Sequence, residues 1–142
     1  MEARYRDATR RYMRFQIGVA MILAGCLYLV YSQLDKLVAP TDFLSQVHGF
    51  HLYIMAPVLF TCGTIAIVTQ VLDAPRRLDI LCIALAIAAP VFAAAGNLLI
   101  LRAPEQVSLY IAEVYMITVW TLSVSGLRTG YAAFAGTVLA AM

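Results

Sequence analysis

Residues 15–34, FQIGVAMILAGCLYLVYSQL, contain no charged side chain. As a helix, a run of that length rises about 30 Å, the thickness of a bilayer's hydrocarbon core. Three similar runs follow it. Residues 47–72 form the second, interrupted by Pro57, residues 80–101 the third, carrying Pro90, and residues 106–127 the fourth. Between them lie polar segments: 35–45 (DKLVAPTDFLS), 73–79 (DAPRRLD), 102–105 (RAPE) and 126–130 (GLRTG). The first, with three charges and Pro40, reads as a loop, and Pro75 bars a continuous helix through the second. Residues 131–142 are again apolar but supply only about half of the ~20 residues a span needs. The expected fold is an all-α polytopic transmembrane bundle of four full spans plus the start of a fifth. It divides into a basic N-terminal segment, 1–14, and a truncated membrane domain, 15–142. On this reading the chain is the N-terminal membrane part of something larger.

Composition agrees. Of the residues, 63% are hydrophobic and 13% charged, against about 25% charged in a soluble domain. A soluble chain this short has too little interior to hide so much apolar surface. The net charge of +2 includes no basic run with interleaved aromatics, so no nucleic-acid partner is expected. Cys26, Cys62 and Cys82 all fall inside apolar runs without CxxC spacing and read as buried small hydrophobes. The first apolar run is too long for a secretory signal and lacks a small-residue cleavage site after it.

Orientation follows from the basic side chains. With the N-terminus in the cytoplasm, Arg4, Arg6, Arg10, Arg11, Arg14, Arg76, Arg77 and Arg128 lie inside, and Lys36 and Arg102 lie outside. The excess of inside charge predicts that orientation. Residues 1–14 are expected to form a cytoplasmic amphipathic helix that leads into the membrane and whose arginines meet anionic headgroups.

Ionisable groups within a bilayer are costly and are functional candidates. His48 and His51 sit near the outer end of the second span, Asn97 near that of the third, and Glu113 about two turns into the fourth. His48 and His51 share a helix face at i, i+3, as do Tyr110 and Glu113. Tyr28 and Tyr53 are expected at similar depths. Three readings stand. The histidines can be structural, bonded to loop carbonyls or water with Glu113 paired to one imidazole. His48, His51, Asn97, Tyr110 and Glu113 can instead line one outward-facing pocket for a small amphiphilic ligand, where a histidine–glutamate pair would respond to protons near neutrality. Or the two histidines and a carboxylate can hold zinc, or a haem. Ala132, Gly136 and Ala140 form a small-residue stripe suited to a helix–helix dimer contact. No nucleophile–base pair, phosphate loop or carboxylate dyad is present, so no catalytic residue, resident metal or cofactor is assigned.

Four pieces carry a family resemblance: YSQLDKLVAP (31–40), IMAPVLF (54–60), DAPRR (73–77) and SGLRTGYAAFAG (125–136). Together with the arginine-rich start, they resemble the six-helix membrane domains that begin many bacterial nucleotide cyclases. The likeness is to sensor domains preceding GGDEF diguanylate cyclase domains and to anchors of class III adenylate cyclases. One departure is His48, where such domains often carry arginine. The resemblance implies a signal-input and dimerisation domain in the bacterial inner membrane. It also implies a homodimer and a cytoplasmic cyclase domain C-terminal to this chain, which itself would not be the enzyme. The alternatives are a small transporter or channel component, or a structural subunit of a haem- or pigment-bearing complex.

Overall fold

The computed structural model describes residues 2–38, 41–72, 75, 77–100 and 115–120, with 130, 133, 134 and 137 beyond them. Its elements among these residues are helical, without a strand. Helix α1 spans Glu2–Val38, α2 Thr41–Gly49, a six-residue π-helical stretch Phe50–Met55, α3 Ala56–Val71 and α4 Arg77–Ile100. Three stretches are long and apolar enough to cross a membrane: Arg11–Leu37, Phe43–Val71 and Arg77–Ile100. The first three expected spans are therefore present, each shifted by a few residues. The fourth span and the fifth segment lie mostly outside the described residues, of which 115–120 are helical.

The residues from Glu2 to Arg14 form the first turns of α1, which leads into the first span and runs unbroken for 37 residues, or about 55 Å. One expectation is corrected. Residues 35–45 are not one loop, because α1 continues to Val38 and α2 begins at Thr41. A charged residue marks the edge of lipid in a sequence, but it stays helical when a neighbouring helix gives it a partner. Asp35 has such a partner.

Proline accounts for the π-helical stretch. Pro57 has no N–H to return to the preceding turn, and the helix widens just before it, with the Ala56 N–H bonding back to the His51 carbonyl. The second membrane helix thus crosses the bundle as α2, π turn and α3 in one column. Pro90, by contrast, is accommodated within α4.

α1 packs chiefly against α3. Gly18 and Gly63 make the close crossing possible: a Cβ on Gly18 would stand 2.6 Å from Ile67 Cγ1, and one on Gly63 2.9 Å from the Gly18 carbonyl oxygen. On α4, Gly96 receives the Phe50 ring, which a Cβ there would meet at 2.1 Å. The buried side of α1 is a stripe at heptad spacing, Arg14, Met21, Tyr28 and Asp35, joined by Ile17 and Ala20. Leu23, Val30, Ile65, Val68, Ile80 and Leu99 face outward. Helices apolar on both faces belong in lipid.

Candidate functional site

A polar cluster closes one end of the bundle. Asp35 on α1, His51 in the π-helical stretch and Asn97 on α4 are all buried. His51 Nδ1 lies 2.7 Å from Asp35 Oδ2, and its Nε2 lies 3.3 Å from Asn97 Oδ1. Tyr28 packs its ring against the imidazole with centroids 5.2 Å apart, and Phe50 packs at 5.8 Å. The ring of His51 is thus fixed by hydrogen bonds in its plane and by aromatic contacts around it.

His48 takes a different partner. Its Nδ1 lies 2.6 Å from the backbone carbonyl of Ser32. A carbonyl only accepts, so Nδ1 carries the proton there. The two histidines cross over as they meet α1: the earlier one bonds residue 32 and the later one residue 35. Helix geometry explains this, since side chains lean toward the N-terminus and carbonyls point toward the C-terminus. The Asp35 carboxylate therefore hangs down to His51, while the Ser32 carbonyl reaches up to His48.

The Asn97 amide is incompletely used. Among the described residues its Nδ2 has no hydrogen-bond partner, although the side chain is 1% exposed. The oxygen and nitrogen of a carboxamide exchange places by a half turn. If Oδ1 faces His51 it accepts from Nε2–H and Nδ2 is left over; if Nδ2 faces the ring, Oδ1 is left over. One amide atom of Asn97 remains for another group in both arrangements. A buried amide group left in that state costs about 1–3 kcal/mol.

A second polar cluster closes the opposite end. Arg14 Nε donates to Asp79 Oδ1 at 2.6 Å, and both side chains are buried. Arg14 Nη1 donates to the Thr69 carbonyl at 2.9 Å and Nη2 to the Pro75 carbonyl at 3.4 Å. Thr69 stands in the last turn of α3, where carbonyls lack helical donors, and the guanidinium supplies one. Asp79 stands in the first turn of α4, where the helix dipole favours an anion.

Between the two clusters is an almost wholly apolar cavity of about 80 Å³, partly open to the surroundings. Ala24, Ala86, Ala89 and Ala93 leave its space, and Tyr28, Met55 and Trp120 also line it.

The structure brings His51 and Asn97 together and places His48 on a carbonyl partner of its own. Tyr53 is 74% exposed and takes no part. Tyr110 and Glu113 lie outside the described residues, as do Ala132, Gly136 and Ala140. The carboxylate that meets His51 is Asp35, the first residue of the segment expected to be a loop. The usable signal was spacing: Asp35 follows Tyr28 by one heptad and Ser32 by three residues, which puts it on the buried stripe. In the sequence Arg14 and Asp79 likewise fall in a polar tail and a polar turn. No group of three or more metal-ligating side chains suited to an ion occurs among the described residues.

The described fold is that of a helical membrane protein, defined by its three long apolar helices and the polar groups buried between them. No family, curated protein or solved structure matches the chain.

Proposed function

We propose that this chain is the membrane anchor, dimerisation and signal-input domain of a bacterial nucleotide cyclase. On this reading it lies in the inner membrane with its N-terminus cytoplasmic, and has four full spans and the start of a fifth. The observation that carries the proposal is the buried Asp35–His51–Asn97 cluster, built from three helices at one end of the bundle. Buried polar groups inside a membrane are expensive and are associated with ligand or ion pathways and relays. A cluster that joins three helices also gives a signal something to change. A ligand that binds one helix packing better than another shifts the balance between them, and one without such a difference shifts nothing.

Further support comes from α1, which connects the two ends of the bundle. The helix carrying Asp35 at one end carries Arg14 at the other and continues into the N-terminal arginines without a break. On this proposal, a shift at Asp35 would reach the Arg14 end through one continuous helix. The cyclase itself is implied by the sequence resemblance to domains of that kind.

The test is direct. The parent reading frame is expected to encode a GGDEF or class III cyclase domain after codon 142. Membranes bearing that full-length protein should form a cyclic nucleotide at a rate that His51→Leu changes at least about threefold at equal abundance. A different effector, or an output indifferent to His51→Leu and Asp35→Leu alike, would overturn the proposal.

A further inference from the structure

The geometry points to a binding site for a neutral, hydroxyl-bearing single-chain amphiphile, with its chain in the Ala86–Ala89–Ala93 cavity and its hydroxyl at the Asn97 end. The inference deepens the signal-input reading by naming the ligand class, and its test does not depend on any cyclase.

Three observations converge. First, the cavity accepts hydrocarbon and little else. Its lining is nearly all apolar, and its room comes from small side chains facing one another across α1 and α4. Its volume of about 80 Å³ is roughly half that of an engineered 150 Å³ cavity that holds benzene. A segment of one alkyl chain fits, and a bulky ring system does not. Second, the cavity is partly open, so the rest of a chain can extend toward the lipid.

Third, one end of the cavity adjoins the polar cluster. Met55 and Ala93 line it, and each is one helical turn from a cluster residue, His51 and Asn97 respectively. Tyr28 belongs to both places, since its ring lines the cavity and packs on His51. Asn97 is nine-tenths buried and more, with one amide atom left over among the described residues.

The head chemistry follows from that leftover atom. It is a donor in one amide orientation and an acceptor in the other. A hydroxyl, which both donates and accepts, satisfies either. A carboxylate head would bring a second anion toward Asp35, which is already buried against His51. The favoured head is therefore neutral.

Trp120 makes the site observable, because it is the sole tryptophan of the sequence and lines the cavity. The experiment uses the full chain in phosphatidylcholine nanodiscs, titrated with 9,10-dibromooctadecan-1-ol, whose mid-chain bromines quench indole fluorescence on contact. Saturable quenching is expected. Ala89→Leu and Ala86→Leu, which fill the cavity while retaining helicity by circular dichroism, should each abolish the saturable part. Asn97→Leu should weaken the alcohol about tenfold, the loss of one hydrogen bond, while leaving dibromooctadecane unaffected. The dibromo acid should bind the unmodified chain more weakly than the alcohol at neutral pH. Quenching that rises linearly with the probe, or saturates equally in both cavity-filled variants, would overturn the site. Saturable binding with no effect of Asn97→Leu would overturn the placement of the head. Saturable binding by a parent protein without a cyclase domain would leave the site standing and remove only the signal-input proposal.

Discussion

Arg14 and Asp35 stand on one stripe of α1, three heptads apart, with Met21 and Tyr28 between them and all four buried. At 1.5 Å per residue the two charged residues are separated by about 31 Å along the helix, close to the ~30 Å of a bilayer's hydrocarbon. The other membrane helices repeat the arrangement. The second carries His51 and Thr69, and α4 carries Asn97 and Asp79. Each helix thus contributes one group to a polar layer at either end and apolar residues between. Two polar layers fix the depth and register of the bundle, while the middle layer contains the cavity.

The Arg14–Asp79 pair is expected to act as the clasp of its layer. Asp79→Ala leaves a buried guanidinium without its anion and should cost about 3–5 kcal/mol. The exchange Arg14→Asp with Asp79→Arg should recover less than half of that, because the swapped arginine cannot reach the Thr69 and Pro75 carbonyls. Unfolding by dodecyl sulfate in mixed micelles measures both. A neutral Asp79→Ala would show that the pair contributes nothing.

How much of this was legible beforehand depended on whether the signal was local. Long uncharged runs are local, and they place the first three spans within a few residues of their observed ends. The interruption expected at Pro57 is a π-helical stretch just before it and not a break, which a proline in a sequence does not announce. The i, i+3 spacing put His48 and His51 on one face, and both do turn toward α1. Their partners were not legible. Asp35 and Asp79 begin polar stretches or lie within them, and a carboxylate looks like the end of a span unless its counterpart across the bundle is known. The pairing of residue 35 with 51, and of 14 with 79, is a property of the packing of whole helices.

Glycine substitutions should separate the crossing of α1 and α3 from ordinary helix positions. Gly63→Leu places a side chain where even a Cβ would be 2.9 Å from the Gly18 carbonyl, and should destabilise the bundle by more than about 3 kcal/mol. At Gly49 a Cβ would meet no atom within 4 Å, so Gly49→Ala should stabilise by about 0.5–1 kcal/mol through helix entropy alone. Thermal unfolding in detergent is expected to move in opposite directions for the two.

The proposed orientation makes a separate prediction. A cysteine at Thr41, in a chain whose native cysteines are replaced by alanine, should react with an impermeant maleimide in intact cells. One at Arg76 should react only after the membrane is opened. The reverse pattern would invert the bundle and place the Asp35 end in the cytoplasm.

The most direct test of the account is the coupling between Asp35 and His51. Asp35→Asn, His51→Gln and the double variant define a mutant cycle, read as unfolding free energy in mixed micelles. The contact at 2.7 Å between two buried side chains predicts a coupling near the upper part of the usual range, about 2–3 kcal/mol. Strictly additive effects, with a coupling below about 0.5 kcal/mol, would contradict a polar cluster that joins these helices.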